Sequence, residues 1–256
     1  MNAFELSILV PAMLAGILVL ATHVPLGAEV LRRGIIFIDL AIAQVAGLGV
    51  IAADTMGWEQ NGWMVQIAAV SAALIAAIIL NWTDKRWPEV QEALIGICFI
   101  LAATAGVLVL AGNPHGGEHL KELLVGQVLW VTIDSLLPIA IVSAAILALW
   151  YLLRDHVRGL GFYVLFAFAV TASMQLVGVY LVFASLIIPA LATRKIGTRG
   201  IRLASAYGVG LVGYLSGLIM STRLDMPAGA VIVWCLAAVA ILFAWLVQPR
   251  LTKHSA

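Results

Sequence analysis

The stretch that decides the fold is GVYLVFASLIIPALATRKIGTRG, which covers Gly178 to Gly200. Its apolar run from Val179 to Ile188 is about half the roughly 20 residues that a helix needs to cross a hydrocarbon core, so the preceding helix must continue the path. Pro189 lacks a backbone N–H, which predicts a break or kink there. A broken helix at membrane depth persists only where protein or a water-lined cavity satisfies its backbone. We therefore predict a short broken span that faces such a cavity.

The composition places the whole chain in a membrane. Of its 256 residues 63% are hydrophobic and 11% are charged, whereas about a quarter of the residues in soluble domains are charged. We predict an all-α polytopic bundle of about eight full spans plus one short broken span, forming a single domain over residues 1–256. The full spans are Leu6–Val24, Ile35–Ala53, Met64–Leu80, Ala93–Ala111, Leu136–Leu153, Leu160–Tyr180, Leu203–Met220 and Ala228–Val247, and the short piece is Leu181–Leu191.

The Lys and Arg residues predict the orientation of the bundle, because cytoplasmic loops carry an excess of them. If the short piece counts as a crossing, only Lys121 and Arg223 lie on the outer side. The N-terminus is then outside and the C-terminus is in the cytoplasm. The residues predicted on the cytoplasmic side are Arg32, Arg33, Lys85, Arg86, Arg154, Arg158, Arg194, Lys195, Arg199, Arg202, Arg250 and Lys253.

Three segments carry a family resemblance: PLGAEVLRRGIIFIDLAIAQVAGLG (Pro25–Gly49), VGVYLVFASLIIPALATRK (Val177–Lys195) and LDMPAG (Leu224–Gly229). Their order and spacing resemble the ABC-3 family of zinc, manganese and iron uptake permeases, the membrane subunits of bacterial metal importers. The resemblance implies a type II ABC importer permease fold in the bacterial inner membrane. It also implies a homodimer, a cytoplasmic ATPase dimer, an extracytoplasmic metal-binding protein, and a divalent metal as cargo, with zinc before manganese or iron.

The chain departs from the family pattern at two places. The family's second helix usually reads Asp-x-x-x-His, but here Ala43 stands four residues after Asp39. Gln44 is one residue further, about 140° from Asp39 around a regular helix, so without a helix irregularity it cannot co-ligate a metal as a His at i+4 could. The family's metal site therefore carries over at Asp39 only. The second departure is the short segment between Leu153 and Leu160, where the family commonly has a longer cytoplasmic loop.

Asp39 is the carboxylate that we predict to lie well inside an apolar span. A charge there costs several kcal/mol, so it normally faces a cavity or a partner. In a two-fold dimer, two such carboxylates could face a central path and bind a dication transiently; the alternative is a salt bridge to Arg32 or Arg33. Thr171 and Gln175 form a polar strip that either lines the path or makes interhelical hydrogen bonds. The path-lining candidates beside Asp39 are Ala43, Gln44, Thr171 and Gln175.

Residues His115 to His119 spell H-x-x-E-H, the inverzincin pattern. That chemistry needs both His on one helix face and a third ligand, whereas Asn113-Pro114 and two Gly favour a loop, so a metalloprotease is disfavoured. A solvated outer loop that weakly collects metal through His115, Glu118 and His119 is the functional alternative to a plain loop. The following EHLKELLVGQVLW predicts a short helix that lies at the surface or dips into the protein.

The sequence contains no G-x-x-x-x-G-K-[ST] motif, so a P-loop cannot bind ATP here. We predict a non-catalytic subunit that binds no cofactor and takes its energy from ATP hydrolysis on a partner chain. A stand-alone secondary transporter or channel is the alternative. Such folds often show a matched pair of interrupted helices, whereas this sequence shows a single interrupted segment, which disfavours the alternative. A net charge of +1 gives no reason to expect binding to nucleic acid. We expect the chain to be surrounded by membrane lipid.

The segment after the short span is predicted to dock on the ATPase, and the alternative is a topology signal with no partner. The docking residues are Pro189, Thr193, Arg194, Lys195 and Arg199. Asp225, which precedes Pro227, is predicted to cap the N-terminus of the last span.

Overall fold

The computed structural model describes residues 3–58, 62–152 and 159–251. These residues form ten α-helices, with 3-10 turns at Pro88–Val90 and Val128–Trp130. The helices are α1 (Ala3–Arg33), α2 (Ile38–Thr55), α3 (Trp63–Arg86), α4 (Gln91–Leu110), α5 (Gly116–Val125), α6 (Ile133–Leu152), α7 (Leu160–Val177), α8 (Val179–Ala192), α9 (Arg199–Leu224) and α10 (Ala228–Leu251).

Eight helices of the described residues are long and apolar enough to cross a membrane, and α8 is a shorter apolar helix. This confirms the predicted all-helical bundle of about eight spans plus a short one. Their outward surfaces are apolar, as at Leu108, Leu152 and Trp234, whose side chains are more than 70% exposed in the isolated chain. Such surfaces suit lipid, since a helix already satisfies its own backbone polar groups.

The predicted break at Pro189 is wrong, because the chain breaks at Gly178 instead. Gly178 has a φ of 81°, a left-handed conformation that a glycine adopts without steric cost. It closes α7 by donating its N–H to the carbonyl of Met174 (2.8 Å) and opens α8 through a bond from the Val182 N–H (3.1 Å). Helix α8 continues for three residues past Pro189. A proline removes only one backbone hydrogen bond of the helix, and the helix tolerates this loss so close to its end.

Helix α8 forms the centre of the bundle. It packs against α1, α7, α9 and α10, and Leu181, Val182 and Leu186 have no exposed surface. The Ser185 hydroxyl lies 2.8 Å from the Tyr214 hydroxyl of α9, and both side chains are fully buried. At 14 residues α8 is about 21 Å long, shorter than a hydrocarbon core of about 30 Å. Helix α8 alone is therefore too short to cross the core.

One end of the bundle, here called the Arg33 end, joins the end of α1 to the starts of α2, α4 and α7. The Arg33 guanidinium lies 4.0 Å above the ring of Phe162, and the Phe37 N–H donates to the Glu92 carboxylate (3.2 Å). Helix α8 reaches the same end, because Leu186 lies against Gly27 of α1 and both helices continue six residues further. The exposed basic residues after α8 thus lie near Arg33, as the charge pattern predicts.

At the opposite end of the bundle, here called the Asp54 end, three glycines allow backbone segments to pack in direct contact. Gly126 follows α5, Gly178 joins α7 to α8, and Gly229 lies in the first turn of α10. A methyl group on Gly178 would lie 2.6 Å from the carbonyl carbon of Val125 and would also collide with Gly126. One on Gly229 would collide with the Val125 carbonyl oxygen. We call these contacts the glycine joint, because three backbones meet there with no room for a side chain.

Asp225 does not begin the last span. It ends α9 in a left-handed conformation with a φ of 53°. The Pro227 carbonyl accepts the first bond of α10, from the Val231 N–H (3.1 Å). The prediction of an N-cap is wrong because two further residues separate Asp225 from the helix. Asp is among the few non-glycine residues that tolerate this conformation.

Candidate translocation path

A cavity of about 940 Å³ lies at the Asp54 end, between α2, α3, α5, α6 and α7. Most of its wall is apolar, and its polar lining includes Asp54, Gln66, His119, Glu122, Thr171 and Gln175. We call it the Asp54 cavity. Both residues of the predicted polar strip, Thr171 and Gln175, line this cavity. The carboxylates of Asp54 and Glu122 add negative charge, which attracts cations.

Thr171 and Gln175 line the Asp54 cavity in different ways. Gln175 is exposed and accepts a hydrogen bond from the Gln66 side-chain N–H of α3 at 2.5 Å. Thr171, one turn earlier on α7, is 1% exposed, and its hydroxyl has no hydrogen-bond partner among the described residues. The interhelical bond predicted as the alternative role is therefore present at Gln175, and the lining role is compatible with both residues.

Asp39 lies in the first turn of α2, close to the Arg33 end, and not deep in the span as predicted. Helix α1 ends at Arg33 because Gly34 takes a φ of 74°, so α2 starts only at Ile38. The side chain is fully buried, and neither carboxylate oxygen has a hydrogen-bond partner among the described residues. The positive end of the α2 dipole favours a carboxylate at this position.

The predicted alternative for Asp39, a salt bridge to Arg32 or Arg33, is wrong. Both arginines bind Glu29 one turn earlier in α1, Arg32 through Nη2 at 2.5 Å and Arg33 through Nε at 2.7 Å. Asp39 thus remains a buried carboxylate with no cationic partner among the described residues. Such a group is costly unless a charge compensates it, which makes it the natural candidate for a transient metal contact.

One face of α2 connects Asp39 with the Asp54 cavity. Ala43, Ala46 and Val50 follow Asp39 at helical spacing, and Val50 lines the cavity. The 11 residues from Asp39 to Val50 span about 16 Å. Ala43 and Ala46 between them are fully buried, so this face is packed against protein between Asp39 and the cavity. Gln44 is half-buried and lies outside the cavity lining.

The H-x-x-E-H segment is helical rather than a loop, because α5 begins at Gly116. His115 Nδ1 lies 3.3 Å from Glu118 Oε2 and both side chains are largely exposed, whereas His119 lines the Asp54 cavity. The described residues hold no group of three or more His, Cys, Asp or Glu placed to bind a metal ion. The predicted short helix in EHLKELLVGQVLW is confirmed, with α5 covering its first part.

The predicted docking residues separate into two groups. Arg194 and Lys195 are exposed on the turn between α8 and α9, and Arg199 is exposed as the first residue of α9. Pro189 and Thr193 are buried, and the Thr193 hydroxyl donates to the Pro189 carbonyl at 2.9 Å. They shape the end of α8, and burial leaves them no surface for a partner. The shortened loop between Leu153 and Leu160, with Arg154 and Arg158, falls on residues 153–158 outside the described ranges, as does Lys253.

The glycine joint and the carboxylates Asp54 and Glu122 are features that the sequence analysis missed. The joint has a weak signal, since Val125-Gly126 and Val177-Gly178 each place a glycine directly after an apolar helical run. Asp54 and Glu122 sit at helix ends near loops, where acidic residues are common. Only the folded structure shows that they line one cavity.

Comparison with known proteins decides the family. The profile of the ABC 3 transport family matches residues 5–247. The chain belongs to the ABC 3 transport family. This confirms the resemblance to metal-uptake permeases, and with it a multi-pass, non-catalytic membrane subunit of a bacterial ABC importer. A permease of this class acts with separate ATPase subunits and a binding protein, so the stand-alone transporter is disfavoured.

The relatives of this permease differ in the metal they are named for. It is 26% identical over 255 residues to the high-affinity zinc uptake system membrane protein ZnuB of Haemophilus influenzae, covering 92% of this chain and 96% of that one. It is also 26% identical over 247 residues to the manganese transport system membrane protein MntC of Halalkalibacterium halodurans, covering 89% and 83%.

A solved structure shares the fold of this permease. PsaBC from Streptococcus pneumoniae in complex with Fab superposes with a TM-score of 0.73 at 22% identity, over 94% of this chain and 91% of that chain. The fold predicted from the sequence is therefore confirmed over nearly the whole permease.

Proposed function

We propose that the permease moves a divalent transition-metal ion into the cytoplasm, with zinc as the first candidate and manganese or iron as alternatives. The observation that carries this proposal is Asp39, a fully buried carboxylate with no partner among the described residues. A passing dication would compensate its charge. The relatives named for zinc and manganese support the cargo class.

The path runs from the Asp54 cavity along the α2 face to Asp39. The permease works as a homodimer, in which a second copy places its own Asp39 near the path. The Asp54 end faces outward, where a metal-binding protein delivers the cargo, and the Arg33 end faces the cytoplasm. This orientation follows the excess of Lys and Arg at the Arg33 end. ATP binding draws the two ATPases together, and the turn between α8 and α9 transmits the movement to α8.

Metal accumulation in cells tests the cargo. A bacterial strain without high-affinity zinc uptake, given this permease with its ATPase and binding protein, is expected to regain growth and cellular zinc in zinc-poor medium. Mass spectrometry of cell metal content measures zinc, manganese and iron together. If none of the three rises above the level of the empty strain, the proposed function is wrong.

Charge reversal tests the docking surface. We expect Arg194→Glu combined with Arg199→Glu to reduce co-purification of the ATPase at least about fivefold, since rim charges steer association and like charges repel. The matched control is Arg223→Glu, an exposed arginine at the end of α9 near the Asp54 end. Equal ATPase recovery in the double variant and the control would refute docking on this turn.

A further inference from the structure

The polar lining of the Asp54 cavity combines amides and hydroxyls with Asp54, His119 and Glu122, and the last three are not clustered as a set of metal ligands. Gln66, Gln175 and Thr171 contribute amides and a hydroxyl. Direct zinc sites take about four N, O or S ligands, and the described residues hold no cluster of three or more His, Cys, Asp or Glu placed for one. The cavity is therefore better equipped to bind the ligands of a cation than the cation itself.

The volume of the Asp54 cavity also favours a cation that keeps its water ligands. Each water occupies about 30 Å³ of liquid volume, so a cation with six waters needs roughly 200 Å³. The cavity of about 940 Å³ holds such a hydrated ion with room for further water.

Thr171 supplies an independent observation. Its hydroxyl is buried in the cavity wall without a partner among the described residues. A polar group of this kind is costly unless something binds it. The hydroxyl is covered in the cavity wall, so a χ1 rotation must turn it toward the cavity before coordinated water, a strong charge-assisted donor, can donate to it.

The amide pair fixes further acceptors one turn from Thr171. The bond from Gln66 Nε2 to Gln175 Oε1 uses one end of each amide and leaves the Gln66 carbonyl oxygen as an acceptor. Asp54 and Glu122 add negative charge to the lining, which attracts a cation at a distance.

We propose that the Asp54 cavity binds the divalent cation with its water shell intact, through hydrogen bonds from coordinated water to Thr171 and the Gln66–Gln175 pair. The inference rests on the proposed function, which supplies a dication as cargo. The cation then loses its waters only beyond this cavity, on the way to Asp39. The competing arrangement is direct ligation by His119 and Glu122.

Hexaamminecobalt(III) separates the two arrangements, because its six ammine ligands do not exchange and it can bind only through them. We expect the permease–ATPase complex in nanodiscs of uncharged phosphatidylcholine to bind it saturably in calorimetric titration, and zinc to displace it. Thr171→Val is expected to weaken binding about tenfold, the loss of one hydrogen bond to a charged group. Thr171→Ser, which keeps the hydroxyl, and Thr104→Val, which removes an exposed hydroxyl outside the cavity lining, are expected to bind like the wild type.

Saturable zinc binding without hexaamminecobalt(III) binding would overturn the proposal in favour of direct ligation, while leaving the proposed cargo intact. Equal affinity of the Thr171→Val and Thr104→Val complexes would also overturn it. Failure of the proposed function is a separate result, since it appears as absent metal accumulation in cells.

Discussion

The Asp39→Asn permease is expected to assemble with its ATPase and to import metal at least about tenfold more slowly than the wild type, a loss of about 1.4 kcal/mol or more in transition-state stabilisation. Asparagine has nearly the same shape as aspartate but no charge, so it keeps the packing of the first turn of α2. Because Asp39 has no hydrogen-bond partner among the described residues, the substitution breaks no bond in them. What it removes is the charge that a passing dication would neutralise.

The matched control is Asp134→Asn, an exposed aspartate in the first turn of α6. It has the same residue type and helix position but lies outside the proposed path, and its uptake rate is expected to equal that of the wild type. Initial rates of zinc uptake into liposomes, at equal amounts of reconstituted complex, provide the measurement. Wild-type uptake by Asp39→Asn would remove this carboxylate from the mechanism.

Gly178→Ala is expected to destabilise the permease by at least about 2 kcal/mol, because a left-handed backbone and overpacking are each costly for an alanine. Gly178 has a φ of 81°, and an added methyl group would collide with the backbone of Val125 and Gly126. The expected result is a lower midpoint of thermal unfolding in detergent, with a smaller monodisperse fraction after heating.

Gly208→Ala is the control for the glycine joint, since a methyl group on Gly208 would meet no atom within 4 Å. We expect its midpoint to equal that of the wild type or to exceed it slightly, as alanine favours the helix. If Gly178→Ala unfolds at the same temperature as Gly208→Ala, the glycine joint does not hold the Asp54 end together.

The class of the fold could be predicted from the sequence because hydropathy and span length act locally. Eight long apolar segments appear as eight long helices, whatever their packing. The position of the break could not be predicted as reliably. Pro189 and Gly178 both interrupt a helix in principle, and the choice depends on Gly126, which lies 52 residues from Gly178 in the sequence and meets it only in the folded chain.

In the candidate site, too, some features could be predicted from the sequence and others depend on how the helices pack. Asp39 could be singled out because a carboxylate in an apolar segment is rare, yet its position in the first turn depends on Gly34 ending α1. In the sequence, only their polarity groups Thr171 and Gln175 with Asp39. The structure places them in a cavity about 16 Å along α2 from Asp39, because helix packing, which the sequence pattern does not specify, decides which faces meet.

The central claim is that this permease passes metal only when a partner ATPase supplies energy. Zinc uptake into liposomes containing the permease with its ATPase and binding protein, compared with liposomes containing the permease alone, tests it most directly. Our account predicts uptake against a gradient that requires both ATP and the ATPase, and none above the protein-free background for the permease alone. Equal uptake by the permease alone would contradict the account.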